Sequence, residues 1–232
     1  MASSSSRIGP RSSSVSAGPS PITIAVIQPN VLVVPPSVAA NSVEELIGLA
    51  RAHPGELKYA SGLVGTSSQL SCQLFTKRAG VNIVGVHYEV GSSMTFKTAT
   101  SGINDLLAGK VHMMMFSSAS AMPHVKAGKL KALAVTSAQP SVLAPGVPTV
   151  AATLPGFETV QPMAIYAPAG TPDAVIERLN SEVVRFLKSP GVEERLLDAD
   201  MEVVASTPEE LAAKVKSEMA IVRELAKDAG IQ

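Results

Sequence analysis

The chain has 232 residues, 46% of them hydrophobic, with 19 basic against 19 acidic side chains and a formal charge of zero. That is enough apolar material for one large or two small packed domains, without the clustered positive charge that nucleic-acid binding requires. A single cysteine excludes an internal disulfide and a multi-cysteine metal site, and no apolar run reaches the roughly 18 residues of a membrane span.

Residues 1–21, "MASSSSRIGPRSSSVSAGPSP", form a Ser/Gly/Pro tract with two arginines and no acid. Such a segment cannot bury a core, so a disordered tail is expected. It lacks the apolar centre of a secretory signal, and no signal peptide is visible. From Ile22 onward strand and helix signals alternate. Thr23 to Val34 reads as strand, interrupted at Gln28-Pro29-Asn30. Ser42 and Glu45 form a capping box, and Val43, Leu46, Ile47 and Ala50 follow with helical spacing. A strand over 57–61 runs into a helix over 67–79. Val81 to Tyr88 is the next strand, Ile103 to Ala108 a short helix, and Val111 to Phe116 a strand. A helix over 119–127 and a strand over 130–136 complete this part.

Residues 138–172 carry seven prolines and read as a long connection. Beyond it, Thr171-Pro172-Asp173 and Thr207-Pro208-Glu209-Glu210 each open a helix. Their apolar faces are Ile176, Leu179, Val183 and Leu211, Val215, Met219. A short helix over 192–199 and a short strand over 202–205 lie between. Strands separated by helices at this spacing predict an α/β fold with a mainly parallel sheet, whose ligands bind beyond the carboxyl ends of the strands.

The stretch "YASGLVGTSSQL", Tyr59 to Leu70, is such a strand-to-helix loop. The first N–H groups of a helix lack intrahelical partners and carry partial positive charge, so a carboxylate or phosphate fits there. Small residues let it approach the backbone, and Thr66, Ser67 and Ser68 add hydroxyls. An ordinary capped turn explains the same residues, since Ser and Thr are preferred N-caps. The loop matches neither a Walker A sequence nor G-x-G-x-x-G.

Other features point to structure rather than chemistry. His53, His87, His112 and His124 lie in four different elements without metal-ligand spacing. Cys72 falls on the apolar stripe of its helix, and Met113, Met114 and Met115 read as buried strand. Glu44-Glu45, Glu193-Glu194 and Glu209-Glu210 sit at helix starts or on polar faces. No G-x-S-x-G elbow or other catalytic constellation is present, so neither an enzyme nor a cofactor or metal site is expected.

Several runs, in this order, carry a resemblance: "VLVVPPSVAANSVEELIGLARAHPGELKYAS", "GTSSQL", "AGVNIVGVHY", "LLAGKVHMMMF", "PHVKAGKLKALAVTSA", "PGVPTV", "LPGFE" and "YAPAGTP". From about residue 23 to the end, the sequence resembles the substrate-binding proteins of tripartite tricarboxylate transporters, the Bug-type receptors. The resemblance implies a type II periplasmic-binding-protein fold, two α/β lobes closing like a Venus flytrap over a small carboxylate. It implies no catalysis and no cofactor, a periplasmic location, and membrane permease subunits as partners. Ser61, Gly65, Thr66 and Ser67 match the family's Ser-Ser-Gly-x-Gly-Thr-Ser-Ser-x-His loop, and Tyr88 matches the tyrosine of its V-P-Y-K-G. With Ser68 these are the expected ligand-binding residues, which favours the anion cradle over the plain turn. Leu63 replaces a glycine, Gln69 stands off the usual histidine, and His87, Glu89 and Val90 replace the residues flanking the tyrosine. Phe116 occupies an aspartate position, and the P-G-G-x-x-D loop of the first lobe is not present. The expected organisation is therefore a tail over 1–21, a nearly complete second lobe over 22–160, and the C-terminal helices of a shortened first lobe over 161–232. The alternatives are a truncated or degenerate member without ligand, and a metabolite-sensing or interaction domain of the same fold.

Overall fold

A computed structural model describes residues 18–63, 65–88 and 97–228. The organising element is β1 (Ser20–Val34), which belongs to two sheets in turn. Its first part, Ser20 to Pro29, pairs antiparallel with β6 (Val160–Ala167) and β7 (Glu202–Val203), forming a small sheet. Its second part, Asn30 to Val34, pairs antiparallel with β4 (Met113–Ser117) and β5 (Lys131–Val135). β2 (Lys58–Ser61) and β3 (Val84–His87) extend this large sheet in parallel, in the order β3-β2-β4-β1-β5.

Several expectations change. The sheet is mixed rather than mainly parallel, because β1 opposes every neighbour. Gln28-Pro29-Asn30 does not interrupt the strand; it is where β1 passes from one sheet to the other. Ser20 and Pro21, expected in the tail, pair with Ala167 and Tyr166, and Ser20 to Pro29 joins strands from beyond residue 160 rather than those of 30–160. The proline-rich connection contains β6 itself. Pro162 is tolerated because β6, among the described residues, is an edge strand paired only with β1. The strand expected over 81–88 shortens to β3, and the short helix lengthens to α3 (Lys97–Leu107).

Helices cover both faces of the large sheet. α1 (Val43–Ala52) starts as its sequence predicts: Glu45 N–H donates to Ser42 Oγ at 3.1 Å, and Asn41 N–H donates to Glu45 Oε2 at 2.7 Å. α1 and α2 (Ser67–Ala79) cover the face of Leu32, Val34, Met113 and Met115. α3 and α4 (Ser118–Lys126) cover the face of Val31, Val33, Met114 and Phe116. Phe116, at the family's aspartate position, is thus core. Cys72 is buried too, and burial pushes its thiol up to about 12. His112 is also structural: Lys58 N–H donates to its Nδ1 at 2.9 Å, and burial holds its pKa below the ordinary value.

The C-terminal part adds α5 (Asp173–Leu187), α6 (Val192–Asp198) and α7 (Pro208–Asp228). Thr207 and Glu210 form a reciprocal capping box at α7. Thr171 does not cap α5; its hydroxyl donates to Pro168 O at 2.8 Å. Of the two apolar stripes, Ile176 and Leu211 are buried and Val183 and Val215 half-buried, while Leu179 and Met219 stay exposed. Met163, Ile165 and Tyr166 of β6 are exposed as well. No helix among the described residues is long and apolar enough to cross a membrane.

α7 reaches back across the junction. Leu225 enters the core under α2, Lys77 pairs with Glu224 at 2.6 Å, and Lys214 pairs with Glu158 at 2.5 Å and Glu218 at 3.7 Å. Burial pushes the Glu218 carboxyl above its ordinary value, Lys214 opposes the shift, and Glu158 adds to it. A raised carboxyl favours the protonated folded state, so its contribution is present below the unfolded value of 4.5 and is lost as pH rises through the folded value. Glu218→Gln is therefore expected to raise the melting temperature at neutral pH, with the gain vanishing near pH 4. A gain of equal size at both pH values would contradict this account.

Candidate functional site

β2 lies between β3 and β4 and delivers Ser61 to the carboxyl edge of the large sheet. The chain must then reverse from strand to α2. Gly65 adopts a φ of 89°, a left-handed conformation that favours glycine. Thr66 folds the turn onto itself: its N–H and its hydroxyl both donate to Leu63 O, at 3.1 and 2.8 Å. Gly62 N–H donates to Ser68 Oγ at 3.1 Å, and Gly65 N–H to Oε1 of the buried Gln69 at 3.2 Å. The loop is thus pre-shaped by its own polar groups.

What the loop leaves open is the start of α2. Thr66, the N-cap residue, makes no side-chain cap bond, and the first turn holds no acidic residue. The N–H groups of Ser67, Ser68 and Gln69 meet no acceptor among the described residues. Lys77 and Arg78 in the last turn complement the other end of the dipole. Ser67 Oγ accepts from Gln161 Nε2 of β6 at 2.9 Å, which leaves its own proton free to donate.

Five of the six expected residues, Ser61, Gly65, Thr66, Ser67 and Ser68, come together here. Tyr88 is divided. Its N–H donates to Ser61 O at 3.0 Å, beside the loop, but its hydroxyl donates to Asp105 Oδ2 at 2.8 Å. Burial, and then this bond, push the phenol up to about 12. Lys110 takes the other oxygen of Asp105 at 2.9 Å, and the lysine and the tyrosine hold that carboxyl below its usual range. Among the described residues no group of three or more His, Cys, Asp or Glu side chains is placed to hold a metal ion.

Sequence reasoning missed four contributors. His87 Nδ1 lies 2.9 Å from Ser61 Oγ, and Gln69 and Gln161 make the bonds above. Asn30 is 1% exposed, and its Nδ2 has no partner among the described residues. Strand alternation puts it on the face of Leu32 and Val34, which is the α2 face, opposite Ser117 in register. A cavity of about 130 Å³ opens between α2, α7 and the junction, lined by Ser67, Leu74, Thr159, Glu218 and Leu225. Gln69 and His87 carried a sequence signal as departures from the family motifs, and Asn30 stood out only within a tripeptide read as a break in the strand.

Two sheets share one long strand, and the amino end of α2 meets the small sheet through Gln161; solved periplasmic binding proteins have the same mixed α/β architecture. The chain belongs to the tripartite tricarboxylate transporter family receptors, whose profile it matches over residues 18–231. These are solute-binding receptors of transporters rather than enzymes. Among relatives, it is 38% identical over 200 residues to the UPF0065 protein in the tcbD-tcbE intergenic region of Pseudomonas sp. (strain P51), covering 85% of this chain and 57% of that one. Protein BugT of Bordetella pertussis is 29% identical over 209 residues, covering 88% and 62%. Among solved structures, R. palustris Rpa4515 with adipate superposes with a TM-score of 0.68 at 33% identity, over 91% of this chain and 69% of that one. MatC (Rpa3494) from Rhodopseudomonas palustris with bound malate gives 0.64 at 26%, over 89% and 69%. The chain thus spans little more than half the length of the Pseudomonas relative.

A methyl at Gly62 would meet Thr66 Oγ1 at 2.9 Å and Cγ2 at 3.1 Å. Gly62→Ala is therefore expected to displace the Thr66 turn and lower unfolding free energy by about 1–3 kcal/mol. In a Thr66→Ala background, which removes the opposing atoms, Gly62→Ala is expected to cost little further stability in urea unfolding. An equal cost of Gly62→Ala in both backgrounds would rule out the clash.

Proposed function

We propose that this chain binds a small carboxylate at the amino end of α2 and serves as the periplasmic receptor of a tripartite tricarboxylate-type transporter, presenting its ligand to membrane permease subunits. The observation that carries the reading is the open first turn of α2, with three N–H groups and the Ser67 hydroxyl available and no acid competing. One carboxylate takes two such donors at once, and charged acceptors make the stronger hydrogen bonds. Ser61, Gly65, Thr66 and Ser68 shape the cradle; Tyr88 stands at its rim. The adipate and malate bound to two structural relatives support the ligand class and supply the first probes. In this reading the large sheet and its four helices form one lobe. The small sheet with α5, α6 and α7 belongs to the other, and binding closes them across β1.

Thermal unfolding and calorimetry with adipate, malate, succinate and citrate test the reading. One of these acids is expected to raise the melting temperature. Ser67→Ala, which deletes a donor to a charged group, should weaken that acid by about 1–3 kcal/mol, tenfold or more in Kd near the middle of the range. Thr66→Ala, which loosens the turn, should weaken it in the same direction. Undiminished affinity in Ser67→Ala would move the ligand elsewhere. No response to any acid would favour a family member that does not bind ligand.

A further inference from the structure

We propose that Asp200 is a positioning residue for the α2 cradle. With Glu202 it clasps the small sheet to the large one and so keeps Gln161 against Ser67. The inference rests on the carboxylate-receptor reading for its affinity readout alone.

Asp200 follows α6, is 8% exposed, and adopts a φ of 61°, in the left-handed region that favours glycine. Both its carboxylate oxygens are used, one across the junction to α4 and one on β1 within the small sheet. Oδ1 accepts from Ser118 Oγ at 2.6 Å, and Oδ2 accepts from Gln28 Nε2 at 3.2 Å. Ser118 is 1% exposed and opens α4, whose N-cap Ser117 makes no side-chain cap bond. A carboxylate near the positive end of a helix is favourably placed, so Asp200 supplies to α4 what its own sequence does not. Two residues on, Glu202 of β7 accepts a hydrogen bond from the buried hydroxyl of Ser141. One short segment of the small sheet therefore grips the chain after β4 and again after β5. Neither carboxylate forms an ion pair with a described residue, so both depend on these neutral donors.

The consequence lies on the other edge of β1. β6 and β7 flank it in the small sheet, and β6 carries Gln161, whose amide donates to Ser67 at the mouth of the cradle. β1 is the one strand common to both sheets, and a twist about it moves Gln161 relative to α2. On the α2 face α7 adds the buried Leu225, but its polar ties are ion pairs whose side chains are 20–53% exposed. On the α4 face the serine hydroxyls gripped by Asp200 and Glu202 are buried. Buried charge-assisted bonds hold geometry more firmly than exposed ion pairs.

Three variants of the full chain separate positioning from simple stabilisation. Asp200→Gly removes the carboxylate while relaxing the backbone, Ser118→Ala removes the donor, and Asp200→Asn keeps the shape. Hydrogen exchange without ligand is expected to speed up at the Thr66 and Leu70 amides, which donate to Leu63 O and Thr66 O, in Asp200→Gly and in Ser118→Ala by roughly tenfold, the equivalent of one hydrogen bond to a charged group. The double variant goes no further than the singles, Asp200→Asn shows a smaller effect, and α1 is unchanged. For whichever of adipate or malate the wild type binds, Kd rises in Asp200→Gly about as much as in Gln161→Ala. Unchanged exchange at the Thr66 and Leu70 amides with a lowered melting temperature would make Asp200 a structural staple and overturn the proposal. A wild type that binds neither acid counts against the receptor reading, while the exchange comparison still decides the clasp.

Discussion

The arrangement depends on β1 being shared. A strand that satisfies its backbone in one sheet up to Pro29 and in another from Asn30 makes each sheet incomplete without the other. Every further link is then a contact between parts that β1 has already brought close. α7 returns over α2, Gln161 reaches Ser67, and Asp200 reaches Ser118. A single shared strand still permits rotation about its own axis. Side-chain links near that axis therefore settle how the two sheets face each other, and with it where Gln161 stands against Ser67.

The proposed cradle offers neutral donors. Among the described contacts no lysine or arginine bonds to residues 61–63 or 65–69; Lys110 pairs with Asp105, whose other oxygen holds Tyr88. A bare cation beside the loop would bind carboxylates more strongly, but it would also hold inorganic anions with little geometric selection. Backbone N–H groups at a helix start are fixed in direction, so they reward a planar carboxylate placed at one angle. Such a site gains selectivity from shape, which is why the internal bonds of Thr66, Gly62 and Gln69 matter although none of them reaches outward.

Local rules made the helices and the loop legible. Ser42 with Glu45, Thr207 with Glu210, and the small-residue run before Leu70 each act within a few residues, where spacing alone carries the information. The mixed sheet was not legible, because strand direction depends on which segments meet, and β1 meets four of them. β6 was hidden by Pro162, a residue that marks a break unless the strand lies at an edge. Gln161 and Asp200 were hidden for a different reason. Their partners are 94 and 82 residues away, and nothing in the local sequence marks a glutamine or an aspartate as a cross-sheet tie. Asn30 is intermediate: its tripeptide stood out, but as a break in the strand rather than as its crossing point.

Tyr88 shows how a rim residue can be held ready without being idle. With its pKa pushed up to about 12, the phenol stays protonated at any physiological pH and is always a donor. Asp105 occupies it, and Lys110 secures the second oxygen of the same carboxylate. A ligand carboxylate competing for that hydroxyl would exchange one charged acceptor for another, so the bond energies nearly cancel and Asp105 keeps its lysine. The cost of the exchange then lies in moving the tyrosine, not in losing a bond. Tyr88 N–H on Ser61 O anchors the backbone at the loop, which confines the movement to side-chain torsions. In the proposed reading the tyrosine would add to selectivity only for a ligand long enough to reach it from the α2 end, so ligand length as well as charge would decide the fit.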